Sequence, residues 1–226
     1  MRKQVLAALA VVAIGTLCAS QVEAQSKSIG LGLRGGLNLS TVSASPAPSP
    51  PEEISSKTGF HAGVVVALDL HEYFGIEIDG LYTQQGFTDT ELEPGVDGKL
   101  HGAYIQVPIM AKGRYPVGSS VAIRIMGGPA IEFEVGCTIS LTAGEIEGSL
   151  DCDHPLLDAA DRKKTLWSLM FGGGLGINAG PATVFLDVLY DLGLTNLVEN
   201  PAPDESVKSR TWMFSAGFSY PVAILQ

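Results

Sequence analysis

What this sequence has little of settles much of what it cannot be. Charged residues make up 17% of its 226 residues, apolar residues 46%, and the mean hydropathy is +0.24. That is an oily balance for a chain surrounded by water. The usual explanation is transmembrane helices, which need runs of about 18 or more apolar residues. No such run exists past the N-terminus, and the densest later stretch, AGVVVAL from Ala62, is far too short. Positive charge is also scarce: 14 Lys and Arg stand against 24 Asp and Glu, a net charge of −10. No nucleic-acid partner is expected, because a phosphate backbone calls for a basic surface. The sequence has no Gly-x-Ser-x-Gly elbow, no His-Glu-x-x-His and no EF-hand spacing. GGGLG from Gly172 has no helix pattern behind it, so it does not read as a nucleotide loop. His61, His71, His101 and His154 lie on separate segments and make no zinc-type set with the cysteines. Neither a cofactor nor an enzymatic activity is expected.

What is present begins with Arg2-Lys3, an apolar run from Val5 to Leu17, and Val22-Glu23-Ala24. A basic start, a short apolar centre and a small-x-Ala end predict a secretory signal peptide over residues 1–24. The alternative, a membrane anchor, fails on length, and Leu17 before Cys18 does not suit a lipoprotein signal. Residues 25–226 are then one exported domain. It keeps two of the three cysteines, Cys137 and Cys152, and an oxidising compartment favours their pairing. An exported, oily chain without a spanning helix has one other way to cross a bilayer, a closed β-barrel that satisfies its own backbone hydrogen bonds.

The patterning agrees. In GLGLRGGLNLS, from Gly30, leucines occupy one face and Gly, Arg and Asn the other. Period-two alternation recurs over about 58–70, 74–87, 101–115, 120–134, 166–179, 183–196 and 210–222, with polar or weakly periodic stretches at 88–100 and 135–164. This makes eight strands, with long connections after the first, third, fifth and seventh and short ones after the others. Outer-membrane barrels have brief periplasmic turns and longer outer loops. A soluble eight-stranded barrel would turn the same oily faces inward. Lipid outside is favoured for three reasons. The apolar faces are nearly unbroken. The opposite faces are rich in glycine and small residues, which fit a narrow lumen. Trp167, Tyr190, Trp212 and Tyr220 sit toward strand ends, as interfacial girdles do.

Several segments resemble the PorT-like outer-membrane β-barrel family, in its order and over nearly the whole mature chain. They are GLRGGLNLS, TGFHAGVVVAL, IEIDGLYTQQG, AYIQVPIMAK, IMGGPAIEF, LYDLGLTNL and the closing FSAGFSY. The resemblance implies an all-β, eight-stranded antiparallel up-and-down transmembrane barrel of OmpA/OmpX-like architecture in a bacterial outer membrane. One named member takes part in protein secretion, a role that does not pass with the fold.

On the inward faces the charges are Arg34, Lys112, Arg114 and Arg124 against Asp69, Glu77, Asp79, Glu132, Glu134, Asp187 and Asp191. Running the strands up and down brings Arg34, Glu77, Asp79, Lys112, Arg124 and Asp187 to similar depth. They are expected to form a paired, hydrogen-bonded network that fills the lumen; a polar conduction path and catalytic carboxylates are the alternatives. Cys137 and Cys152 would staple a loop with 14 residues between them. Acidic residues near it, Glu145, Glu147, Asp151, Asp153, Asp158 and Asp161, read as a solvated loop rather than a calcium site. Pro108 and Pro129 fall inside strands, where proline marks a bulge or a break in pairing. The expected surroundings are outer-membrane lipid and lipopolysaccharide. The expected role is a scaffold whose outer loops contact an extracellular or secretion-machinery protein; the alternative is a narrow channel for ions or small solutes.

Overall fold

The computed structural model describes residues 27–45, 54–93, 96–143, 146–152, 162–199 and 205–225, and the expected signal peptide lies outside them. The strands are β1 (Lys27–Ser45), β2 (Ile54–Asp69), β3 (Phe74–Glu93), β4 (Val96–Pro116), β5 (Val121–Ala143), β6 (Ile146–Asp151), β7 (Thr165–Ala179), β8 (Ala182–Gly193) and β9 (Ser206–Leu225). Every pairing is antiparallel, in the order β4-β3-β2-β1-β9-β8-β7-β5-β6, and β4 also pairs with β5. That last pairing joins β4 back to β5, so eight strands form a closed ring and β6 hangs from the far half of β5. Closure leaves the ring without an unpaired edge, the condition for a sheet to sit in lipid.

The ends of β1 and β9 meet at one rim, together with the short turns at 70–73, 117–120 and 180–181. Gly180 has φ of +65°, a left-handed conformation that glycine adopts without the cost a Cβ would bring. The longer connections lie at the other rim.

Alternation decides the faces. On β1, Leu31, Leu33, Leu37 and Leu39 are 40–58% exposed, while Arg34 and Asn38 are at most 2% exposed. The remaining ring strands repeat this, for example Val184, Leu186 and Val188 outward against Phe185, Asp187 and Leu189 inward on β8. From Leu31 to Leu39 the outward leucines cover nine residues, close to the roughly 9–11 that a tilted strand needs to span a bilayer. Aromatic rings edge this belt. Toward the far rim Tyr190 and Trp212 pair with centroids 4.7 Å apart and Phe60 and Tyr82 at 5.8 Å. Near the short turns Tyr73, Phe74, Tyr115 and Tyr220 are exposed.

The structure corrects the sequence reading at the far rim. The polar stretch 88–100 is not a loop: β3 runs to Glu93 and β4 resumes at Val96. Likewise β5 continues to Ala143 and turns back as β6, inside the stretch that showed weak periodicity. These extensions rise past the belt, where no lipid-facing alternation is required. Their ladder hydrogen bonds hold them. At Pro108 the pairing is interrupted without a change of register, on the β3 side between Ile78↔Ile109 and Leu81↔Gln106. A residue with no N–H cannot complete that ladder.

Candidate functional site

The interior is stacked in layers. The layer nearest the short turns is ionic. Arg34 on β1 reaches across the lumen, donating from Nη1 to Asp79 Oδ2 at 2.8 Å and from Nη2 to Glu77 Oε1 at 2.7 Å and Asp187 Oδ2 at 3.0 Å. Arg124 on β5 donates from Nη2 to Glu77 Oε2 at 3.0 Å, and its Nε lies 3.3 Å from Asp187 Oδ1. Lys112 on β4 sets its Nζ 3.0 Å from Asp69 Oδ1 and 3.6 Å from Glu77 Oε2. The ring of Phe185 lies 5.1 Å and 4.3 Å from the two guanidinium carbons. The six residues expected at one depth are therefore brought together, with Asp69 at the foot. Buried charge is tolerable when it is paired and hydrogen-bonded, and the planar arginine fork can engage several carboxylates at once. Glycine makes the room: a Cβ on Gly174 would stand 2.5 Å from Asp187 Oδ1.

Above this network sits an apolar layer that the sequence reading missed. Leu81, Met110, Met126, Ala130, Met170, Leu189 and Met213 form one buried cluster inside the ring. All four methionines after Met1 belong to it. Along β8 the inward residues run Asp187, Leu189, Asp191, and along β4 they run Lys112, Met110, then on to Gln106. The apolar layer thus separates two polar ones. Met126 Sδ touches the layer below, 3.9 Å from Arg34 Nη2. Flexible thioethers suit such an irregular gap. The available signal was the parity of the methionines, all of them inward.

The third layer is polar and acidic. Gln106 Nε2 donates to Glu132 Oε1 at 3.1 Å and to Asp191 Oδ2 at 2.5 Å. Gln85 Nε2 donates to Glu132 Oε2 at 3.0 Å and Ser168 Oγ to Glu132 Oε1 at 3.1 Å. The amide and hydroxyl donors to these two carboxyl groups are neutral, and the two groups also lie within hydrogen-bonding reach of each other. Beside it, His61 is buried between Asn38 Oδ1 at 2.7 Å and Ser215 Oγ at 2.9 Å. Higher still, Arg162 grips Glu134 in a two-point contact, Nη2 to Oε1 at 2.7 Å and Nε to Oε2 at 3.0 Å.

At the far rim Cys137 and Cys152 form a disulfide with their Cα atoms 5.4 Å apart. It sits at the base of the β5–β6 hairpin, next to the Thr138↔Asp151 pair. Of the acidic residues considered for calcium, Glu145, Asp153, Asp158 and Asp161 lie outside the described residues. Among the described residues no group of three or more His, Cys, Asp or Glu could hold a metal.

The larger cavities open at the rims and on the outer wall. One of about 490 Å³ lies at the short-turn mouth, lined by Asp69, His71, Glu72 and Arg114 among others. Arg114 Nε there donates to the Glu72 carbonyl at 3.1 Å. A second of about 490 Å³ lies on the wall at the far rim.

A family model described as "Outer membrane protein beta-barrel domain" matches residues 20–199. No curated protein sequence matches the chain. Among solved structures, the chain is similar to Ail, the attachment invasion locus protein of Yersinia pestis, at 17% identity, covering 85% of this chain and 99% of that one with a TM-score of 0.41. Neisserial surface protein A shares 14% identity over 87% of this chain and 99% of its own, TM-score 0.46. The outer membrane protein OprG of Pseudomonas aeruginosa shares 13% over 86% and 96%, TM-score 0.47.

Proposed function

This chain belongs to the outer membrane protein β-barrel family and resides in the bacterial outer membrane; on that premise we propose that it is a non-enzymatic scaffold, whose lumen is sealed and whose extracellular extensions carry its interactions. The observation that carries this reading is the filling of the ring. Arg34 and its three carboxylate partners, the methionine layer and the Glu132–Gln106–Asp191 layer occupy successive levels of one narrow interior. Eight strands leave space for side chains and little else.

The extracellular rim is where the chain has surface to offer. The strands there outrun the membrane, and the disulfide-tied β5–β6 hairpin adds β6 to the edge of the extended β4–β5 sheet. A rigid ribbon on a fixed base loses less freedom on binding than a loose loop does. Membership of the PorT-like branch, and contact with an extracellular or secretion-machinery protein, are part of this proposal. They draw on the ordered motifs from GLRGGLNLS to FSAGFSY. The two buried carboxylates do not suggest catalysis, because the large cavities open elsewhere.

Reconstitution into a planar bilayer tests the sealed lumen against the channel alternative. The expected record is flat at moderate voltage. Discrete unitary steps from folded monomer would replace the scaffold reading with a narrow channel.

A further inference from the structure

Past the apolar belt the outer wall changes character. Toward the extracellular rim, the outward residues of β4 run Ile109, Val107, Ile105, Ala103, His101, Lys99. An imidazole and an ammonium thus follow directly on the oily strip. On β2 the register with β3 shifts between Ser56 and His61, and Lys57 lies inside that irregularity. Gly86 on β3 stands between the two strands. It pairs with His101, and a Cβ on it would come within 3.1 Å of Lys57 Cδ. Because Gly86 has no side chain, the Lys57 stem crosses β3 and its ammonium donates to His101 Nε2. Lys99 brings a second ammonium close by. Burial, followed by the charge of Lys99, holds Lys57 below the ordinary lysine pKa; burial, then the charges of Lys57 and Lys99, does the same to His101. Lys57 and His101 line the wall cavity of about 490 Å³ together with Tyr82, Gln84 and Ser140.

We propose that Lys57, Lys99 and His101 form a lateral clamp for the phosphate of a phosphorylated glycolipid in the outer leaflet. Two ammonium groups that repel one another, beside an imidazole that accepts from one of them, gathered on a protein of net charge −10, are poorly explained by general attraction to polyanions. One anion held among them accounts for the gathering. The place selects the source of that anion. The cluster lies just beyond the aromatic edge at Phe60 and Tyr82, the level at which lipid headgroups meet water. It also opens sideways on the outer wall, so a lipid reaches it without leaving the membrane. Tyr82 and Gln84 in the lining can serve the sugar hydroxyls beside the phosphate.

The test uses full-length mature barrel in mild detergent and native mass spectrometry with two probes, a diphosphorylated lipid A and the same glycolipid after phosphatase treatment. The protein is expected to retain the phosphorylated form about tenfold more strongly, and the triple variant K57Q/K99Q/H101Q to lose that preference. Lys163→Gln, ahead of β7, is expected to change nothing. Folding is checked by the heat-dependent shift on a gel; if the triple variant fails that check, the single variants K57Q and K99Q are expected to show a smaller loss each. Equal retention of both probes overturns the proposal, as does a folded variant set that retains lipid like the unmodified protein. Displacement of the glycolipid by millimolar inorganic phosphate also overturns it, since the cluster would then be a site for free anions.

Discussion

The two polar layers of the lumen lie on the same strands, a few residues apart, and are built on opposite principles. In the periplasmic layer three cations, Arg34, Lys112 and Arg124, face Glu77, Asp79, Asp187 and the half-buried Asp69. Its carboxylates are stabilised by opposite charge. In the extracellular layer Glu132 and Asp191 share the amide of Gln106 and draw on Gln85 and Ser168. Its carboxyl groups are held by neutral donors, and they stand close enough that two negative charges there would repel each other. Between them the methionine layer lowers the local dielectric, which strengthens attraction below and repulsion above. Removing one negative charge should therefore have opposite consequences in the two layers.

The largest effect is expected at Arg34. Arg34→Met keeps much of the length but leaves Glu77, Asp79 and Asp187 with only Arg124 and Lys112 for compensation. Breaking a buried ion pair from one side costs about 3–5 kcal/mol, so the urea midpoint of the heat-shifting band should fall sharply. An unchanged midpoint would mean that the periplasmic network contributes little. Next comes the paired test of the contrast. Glu77→Gln, which removes the carboxylate that Arg34, Arg124 and Lys112 all approach, is expected to lower stability by about 3 kcal/mol. Glu132→Gln is expected to change it by less than about 1 kcal/mol or to raise it, because the substitution relieves repulsion and keeps an acceptor for Gln106. Equal losses in both variants would erase the distinction between the layers.

A smaller effect is expected at the rim. Joining Cys137 to Cys152 closes a loop that the chain-entropy model values at roughly 3 kcal/mol. Only β6 stands outside the ring, however, while the β5 arm is also held by β4, so this stabilisation is local. C137S/C152S is expected to leave the unfolding midpoint of the ring unchanged and to speed amide exchange only on β6, at Ser149–Asp151. A global loss of stability would place the hairpin within the barrel's cooperative unit.

Much of this was legible beforehand because period-two alternation fixes both the faces and, with the turns, the depth of each inward residue. Arg34 and Asp187 are 153 residues apart, yet counting along their strands sets them at one level. The methionine layer escaped notice for a physical reason. In IMAK and SLMFG, Ile109 and Met110, or Leu169 and Met170, are adjacent apolar residues on opposite faces, and alternation is silent where both faces are oily. The rim extensions escaped for the reverse reason. In 88–100 both faces are polar, and ladder hydrogen bonds leave no hydropathy trace. The contacts of His61 with Asn38 and Ser215 span 23 and 154 residues, and no local spacing announces them.

The central claim, a sealed interior with lipid against the oily outer face, is tested most directly by methyl NMR of the barrel in nanodiscs with two relaxation agents, a spin label on the lipid chain and a water-soluble gadolinium chelate. The lipid label should broaden the methyls of Leu31, Leu33, Val64, Ile125 and Leu186, while those of Met110, Met126, Met170 and Met213 should be reached by neither agent. Methionine methyls broadened by the chelate, or outer leucines reached by the chelate and not by the lipid label, would contradict it.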